Sequence, residues 1–166
     1  MIFNSIGFAV FLPIIFILYW ICPAKYRYLF LLAASFYFYM QTDRRYIFLL
    51  LSTAALSYFL ALALQSANSL PGNGECEKRK IRMLKKIYLL AGILLLTGCL
   101  VIFKYLDFFF EAAGLASPVI QLMLPVGISF YTFQTLGYLI DIYRGKYPAE
   151  RHFGYYCLFV SFFPQL

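Results

Sequence analysis

Long apolar stretches without charge alternate with short charged segments along the chain. Asp, Glu, Lys and Arg are absent from residues 1–24, 28–42, 46–74, 87–103 and 112–140, and none follows His152. A helix crosses a bilayer with about 20 mostly apolar residues. The pattern therefore predicts membrane spans near residues 6–22, 28–41, 46–64, 87–104, 122–142 and 153–166. The expected fold class is all-α, a polytopic transmembrane helical bundle with five or six spans.

Two of these spans are unusual in length. The second is short, which leaves open a tilted, re-entrant or protein-buried helix, and its last residues, Phe36–Tyr39, are interpreted as an interfacial aromatic belt. The sixth runs into the end of the chain. The first could be mistaken for a signal peptide, but Met1–Ser5 carries no positive charge, so an uncleaved first helix is expected.

Composition supports a membrane protein. Of the 166 residues, 63% are hydrophobic and only 13% are charged, whereas soluble domains carry about 25% charged residues. A domain of this length buries only about 70% of its unfolded surface, which leaves too much apolar area for water. An ordinary soluble fold is therefore excluded.

The positive residues are distributed unevenly between alternate loops. With the N-terminus outside, the inner loops hold 11 of the 14 Lys and Arg residues, namely Lys25, Arg27, Lys78, Arg79, Lys80, Arg82, Lys85, Lys86, Arg144, Lys146 and Arg151. The positive-inside rule favours that orientation, with residues 65–86 as a cytoplasmic basic loop. The expected protein crosses a membrane several times, with the lipid bilayer as partner and no nucleic acid bound.

A polar stripe follows the fifth predicted span. At 3.6 residues per turn, one face collects Gly127, Tyr131, Gln134, Tyr138 and Asp141. Phe133, Leu136 and Ile140 lie roughly opposite and suit lipid. Polar side chains at membrane depth usually face other helices or a water-filled cavity. The stripe therefore indicates either the wall of a polar internal space or a set of hydrogen bonds between helices.

Candidate chemistry is sparse. Asp141 and Arg144, three residues apart, could form an ion pair or shape the inner mouth of a cavity. The single histidine, His152, stands among charges without a partner at a telling spacing, so a catalytic role is not expected. The four cysteines show no metal or redox spacing, and no nucleotide-binding or nucleophile motif occurs.

Two sequence blocks resemble the membrane-bound O-acyltransferase family. They are Leu124-Pro125-Val126-Gly127-Ile128-Ser129-Phe130-Tyr131-Thr132-Phe133-Gln134, continued by Tyr138–Gly145, and Phe159-Val160-Ser161-Phe162-Phe163-Pro164-Gln165-Leu166. The chain looks closest to the branch of bacterial alginate O-acetyltransferases and D-alanyl-transfer proteins, and the likeness extends over nearly the whole chain.

The resemblance implies transfer of an acyl group, with acetyl favoured, to hydroxyls of an extracytoplasmic polysaccharide or wall polymer. It also implies a place in the bacterial inner membrane, an acyl donor on the inner side, acyl-CoA or an acyl-carrier protein, and a periplasmic or extracellular acetylation partner. Residues 1–166 would be the N-terminal part of one acyltransferase domain with an incomplete fold, inactive alone, since the family's catalytic histidine lies in a later helix.

Candidate site residues carried over from the resemblance have tunnel or support roles, and none is assigned a catalytic part. They are Tyr131, Gln134, Tyr138, Asp141, Arg144, Pro164 and Gln165. Two functions from other classes stay open, a small transporter or channel subunit that uses the polar stripe, and a non-catalytic assembly partner. Inverted repeats, which would favour a transporter, are not evident.

Overall fold

The computed structural model describes residues 6–41, 45–70, 74–112 and 127–164. Its regular elements are six helices: α1 (Ile6–Ile21), α2 (Arg27–Met40), α3 (Arg45–Asn68), α4 (Glu75–Ala112), α5 (Ile128–Tyr143) and α6 (Phe153–Ser161). All regular structure in the described ranges is helical, which confirms the all-α prediction.

Two helices are long and apolar enough to cross a bilayer. The most apolar 18-residue window has a mean hydropathy of 2.2 within Ile47–Asn68 of α3 and of 2.3 within Glu75–Tyr105 of α4. Val10–Ile21 in α1 is apolar but shorter. These helices agree with an all-helical membrane protein, and the number of spans stays a prediction.

The basic stretch of the predicted loop is helical. α3 continues to Asn68 and α4 begins at Glu75, so Lys78–Lys86 forms the first turns of a 38-residue helix. Glu75 and Glu77 stand in the first turn of α4, where negative charge complements the helix dipole. The apolar part of α4 follows directly, as one continuous helix.

The chain divides into two compact units. Unit 1 comprises residues 1–55 and 152–166, and unit 2 comprises residues 56–151, so the division falls within α3 and just before α6. In unit 2, α4 packs against α5. The hydrophobic core of unit 2 contains residues of α3, α4, α5 and the segment after α5, namely Ala61, Leu64, Leu96, Leu139, Ile142 and Ala149.

In unit 1, α2 packs against both α1 and α6. Phe38 is only 2% exposed and forms a core with Ala34 and Phe163. Its ring lies 5.6 Å from Phe8 and 5.9 Å from Phe163, centroid to centroid. The belt interpretation of Phe36–Tyr39 was therefore wrong for Phe38, because aromatic rings of the same unit cover it.

The sixth predicted span is shorter than expected. α6 contains nine residues, and Phe162 after it is extended, with φ −61° and ψ 107°. Proline disfavours helical backbone at the preceding residue, so Pro164 opposes a helix through Phe163. The prediction of a helix throughout 153–166 was therefore wrong for residues 162–164, and residues 165–166 lie outside the described ranges.

Ser35 supports the chain where α6 has ended. Its hydroxyl donates to the carbonyl of Leu31 at 2.9 Å and accepts the backbone N–H of Phe163 at 3.3 Å. Both Ser35 and Phe163 are buried. A buried N–H without a partner costs about 1–3 kcal/mol, so this hydroxyl holds the Phe162–Pro164 turn against α2.

Replacing Ser35 with Ala should lower the free energy of unfolding by about 1–3 kcal/mol, because the Phe163 N–H loses its acceptor. Thermal unfolding in detergent micelles, followed by circular dichroism, measures the effect. Ser52→Ala is the matched control, since Ser52 is exposed and, among the described residues, its hydroxyl bonds only the Leu49 carbonyl of its own helix. Equal losses in the two variants would contradict the role given to Ser35.

Candidate functional site

Glycines in left-handed conformation mark both ends of α5. Gly127, with φ 77°, precedes the first helical residue, Ile128. Gly145, with φ 72°, follows the last turn, where the N–H of Gly145 donates to Ile142 and the N–H of Lys146 to Asp141. These two bonds form a Schellman motif, in which a left-handed residue closes the helix. Gly127 is therefore outside the helical face predicted for it, because its positive φ is not helical and α5 begins only at Ile128.

The buried face of α5 differs from the polar stripe. Its members are Ile128, Tyr131, Thr132, Thr135, Leu139 and Ile142. At 100° per residue, the centre of this face lies roughly a quarter turn from the centre of the stripe. Tyr131 belongs to both and is fully buried. The helix thus packs through a mixed apolar and hydroxyl face, with the rest of the stripe at its edge.

The other members of the stripe are partly exposed. Gln134, Tyr138 and Asp141 are each of intermediate exposure. Phe133 is 64% exposed, as its predicted lipid-facing position requires, whereas Leu136 packs against the unit 2 core. Whether the stripe borders a polar internal space stays a prediction.

Tyr138 holds the segment that follows α5. Its hydroxyl oxygen accepts the backbone N–H of Glu150 at 2.8 Å. The side-chain carbonyl of Gln65 accepts the adjacent N–H of Ala149 at 3.2 Å, and the Tyr58 hydroxyl donates to the carbonyl of Arg151. Residues 149–151 have no regular structure of their own. Side chains of α3 and α5 therefore supply the partners that a helix would otherwise provide.

The sequence analysis did not predict that side chains of α3 take part in these hydrogen bonds. Asn68 adds a further bond, from its side-chain amide to the Ile142 carbonyl at 3.1 Å. Tyr58, Gln65 and Asn68 are spaced by seven and three residues, which places them on one side of a helix. That spacing in an apolar helix is the signal that could have found them.

The predicted ion pair has a different partner. Asp141 lies 3.8 Å from the ammonium of Lys146, and Arg144 is exposed at the helix C-cap. The Schellman turn folds Lys146 back over the last turn of α5, which brings it to Asp141. The prediction of an Asp141–Arg144 pair was therefore wrong. Both partners of the observed pair are at least 36% exposed, so it contributes little to stability.

The remaining candidates lie in unit 1. Pro164 is exposed in the turn after α6, and Gln165 lies outside the described residues. His152 is exposed at the N-cap of α6, with its ring 5.6 Å from that of Tyr155. The four cysteines are free, and the described residues contain no cluster of three potential metal ligands.

Removing the Tyr138 hydroxyl tests the hydrogen bonding of residues 149–151. Tyr138→Phe should lower stability by about 1 kcal/mol and speed amide exchange at Glu150 several-fold. Hydrogen exchange of the purified chain in micelles measures this. Tyr143→Phe is the control, because the Tyr143 hydroxyl makes no hydrogen bond within the described residues. Unchanged exchange at Glu150 in Tyr138→Phe would refute the assignment.

A glycine at the end of α5 and one in its interior are predicted to respond oppositely to alanine. Gly145→Ala should destabilise by about 1–2 kcal/mol, since a left-handed Ala is strained although its Cβ would meet nothing within 4 Å. Gly137→Ala, inside α5 and equally open, should stabilise by about 0.5–1 kcal/mol. Thermal unfolding midpoints compare the two. A change of the same sign in both would exclude the left-handed closure at Gly145.

Curated relatives match the whole of this chain. A probable alginate O-acetylase of Azotobacter vinelandii is 31% identical over 175 aligned residues, covering 100% of this chain and 33% of that protein. The corresponding protein of Pseudomonas syringae pv. tomato is 34% identical, with 100% and 32% covered. A peptidoglycan O-acetyltransferase of Helicobacter pylori is 30% identical, with 100% and 36% covered.

The chain spans about a third of the length of these relatives. No protein-family model matches the chain. No solved structure matches it either. The chain is similar from end to end to a part of the alginate O-acetylases, and the predicted resemblance to that branch of the membrane-bound O-acyltransferases is confirmed.

Proposed function

We propose that this protein takes part in transferring an acetyl group to hydroxyls of an extracytoplasmic polysaccharide. One observation carries the proposal, the similarity of the whole chain to relatives named for O-acetylation of two different polymers, alginate and peptidoglycan. The shared part of those names is O-acetyl transfer, and the acceptors differ. The proposal therefore specifies the transfer reaction and names the acceptor by class, as an extracytoplasmic polysaccharide.

The reaction needs a base and an activated acyl donor. A base takes the proton of the acceptor hydroxyl, and the hydroxyl oxygen attacks the acyl carbonyl carbon. The C–S bond of a thioester donor then breaks, and the thiolate that leaves takes the proton from the base. We propose a thioester donor, acyl-CoA or an acyl-carrier protein, on the cytoplasmic side. The exposed His152 at the N-cap of α6 is not proposed as the base. The histidine that the resemblance implies would come from further segments of such a protein.

The proposed contribution of this chain is a supporting wall. Gln134 and Tyr138 present amide and hydroxyl groups at the edge of the buried face of α5, while Asp141 and Arg144 carry charge at its end. Such groups could orient a polar donor or acceptor without taking part in bond making. Pro164 and Gln165 are proposed to have a similar role near α6.

The proposed orientation places the N-terminus outside the inner membrane. Lys78–Lys86 then lies in the cytoplasm, where a run of Lys and Arg is attracted to anionic lipid. This arrangement also puts Asp141, Arg144 and Lys146 on the side from which the donor would come. A periplasmic or extracellular partner would act on the other side.

A chimera tests the function. Residues 1–166 would replace the matching third of the Pseudomonas syringae relative in a strain that lacks its own copy, and acetyl esters on secreted alginate would be measured with hydroxylamine. We expect the chimera to raise the ester content at least tenfold above the deletion strain. Residues 1–166 expressed alone should leave it at background.

Two matched variants test whether the polar stripe of α5 contributes to acetyl transfer by the chimera. Gln134→Leu in the chimera should reduce the ester content at least fivefold, and Phe133→Leu at the neighbouring exposed position should leave it within twofold. A chimera that reaches the membrane at the relative's level yet forms no esters would contradict the proposed function. Ester formation by residues 1–166 alone would contradict the need for further segments.

A further inference from the structure

An apolar groove lies in unit 1 between α1, the start of α2 and the turn after α6. Its volume is about 630 Å³, and all ten residues that line it are apolar or aromatic. Leu12 and Phe16 line it on α1, Leu31 on α2 and Phe163 on the turn. From Leu12 to Trp20 it follows α1 over about 12 Å, at 1.5 Å per residue. This elongated shape suits a hydrocarbon chain.

A positively charged side chain, that of Arg27, lies at the end of the groove that is lined by Tyr19 and Trp20. The guanidinium of Arg27 lies 5.1 Å from the ring centroid of Tyr19 and 5.8 Å from that of Trp20, and both rings line the groove. The Nε of Arg27 donates to the Cys22 carbonyl at 3.0 Å, which fixes the head group. Among the described residues, no carboxylate lies within ion-pair distance of Arg27.

The apolar lining of the groove and the positive charge at its end indicate what the groove binds. We propose that the groove binds an acyl chain of an anionic phospholipid, with the lipid phosphate at Arg27. Guanidinium groups bind phosphate through two parallel hydrogen bonds, and the bond from Nε to Cys22 leaves the terminal nitrogens for that purpose. Trp and Tyr rings are favoured at the membrane interface, the depth at which a phosphate lies.

The positive charge at this end of the groove favours a lipid over a polypeptide as the occupant. A transmembrane helix or a second copy of this chain would also fill an apolar groove. Neither would by itself place an anion at Arg27, and the exposed Lys25 beside it adds positive charge to the same end. Each basic residue near a membrane surface adds roughly 1 kcal/mol of attraction for anionic lipid, which is about a fivefold preference.

The single tryptophan of the chain is a reporter within this groove. The purified chain would be reconstituted in phosphatidylcholine vesicles that contain increasing fractions of phosphatidylglycerol brominated on its acyl chains. Quenching of Trp20 fluorescence should be half-maximal at a mole fraction at least fivefold lower than for brominated phosphatidylcholine, and it should saturate. Arg27→Gln should remove most of this preference, whereas Arg79→Gln on α4 should preserve it.

A second pair of variants tests the chain-binding part. Leu31→Phe adds volume inside the groove and should reduce quenching by the brominated acyl chains. Leu29→Phe, at a position 52% exposed and outside the lining, should not. Circular dichroism shows whether each variant keeps its helices.

Two results would overturn the proposal. Equal quenching by the two lipids in the unchanged chain would mean that Arg27 selects no phosphate. Protection of Trp20 from both lipids, together with cross-linking between copies, would mean that protein covers the groove.

Discussion

Backbone polar groups in an apolar chain need partners from the protein itself, because hydrocarbon offers none. Helices meet this requirement over most of the described residues, and the informative places are those where helices end. The N–H of Phe163 is accepted by the Ser35 hydroxyl, and the N–H groups of Ala149 and Glu150 are accepted by Gln65 and Tyr138. In each case a polar side chain replaces a missing turn of helix. The irregular segments of both units depend on such bonds.

The same need for hydrogen-bond partners within the protein also explains how polar residues are accommodated inside helices. Ser35, Thr53, Thr135 and Ser161 each donate a hydroxyl hydrogen to the carbonyl four residues earlier. A short hydroxyl side chain is thus satisfied by its own helix and needs no polar cavity. Longer side chains reach other segments, as the Tyr138 hydroxyl does. Of the two interpretations of the polar stripe, hydrogen bonding within the protein therefore accounts for Tyr138.

The sequence allowed the helices to be predicted better than their ends. Uncharged stretches of sufficient length identified α3 and α4, because hydrocarbon thickness fixes the length of apolar chain required. The end of α6 was missed because the absence of charge after His152 marks no helix end, whereas Pro164 disfavours helical backbone at Phe163. The buried state of Phe38 depends on Phe8 and Phe163, which are distant in sequence, and no local pattern encodes such a contact.

The candidate site was predictable in composition but not in geometry. Periodicity identified Tyr131 and Tyr138 as one face of a helix, yet the face that packs is centred elsewhere. Packing against α4 sets the rotation of α5, and that rotation cannot be inferred from α5 alone. Gln65, the partner of Ala149, and Asn68, the partner of Ile142, were missed because both were interpreted as loop residues. They lie in the last turn of α3 instead.

Gly127 and Gly145, the two glycines in left-handed conformation, limit the length of α5 and thereby the depth over which its polar groups are spread. Between them α5 has 16 residues, about 24 Å, which is less than the roughly 30 Å of a hydrocarbon core. Along this short helix the stripe passes from the buried Tyr131 to Gln134, Tyr138 and Asp141, which share an intermediate exposure. The ion pair of Asp141 with Lys146 stands only at the C-terminal end, where the chain turns at Gly145. Because charge is costly in hydrocarbon, this distribution favours an interfacial position for that end of α5.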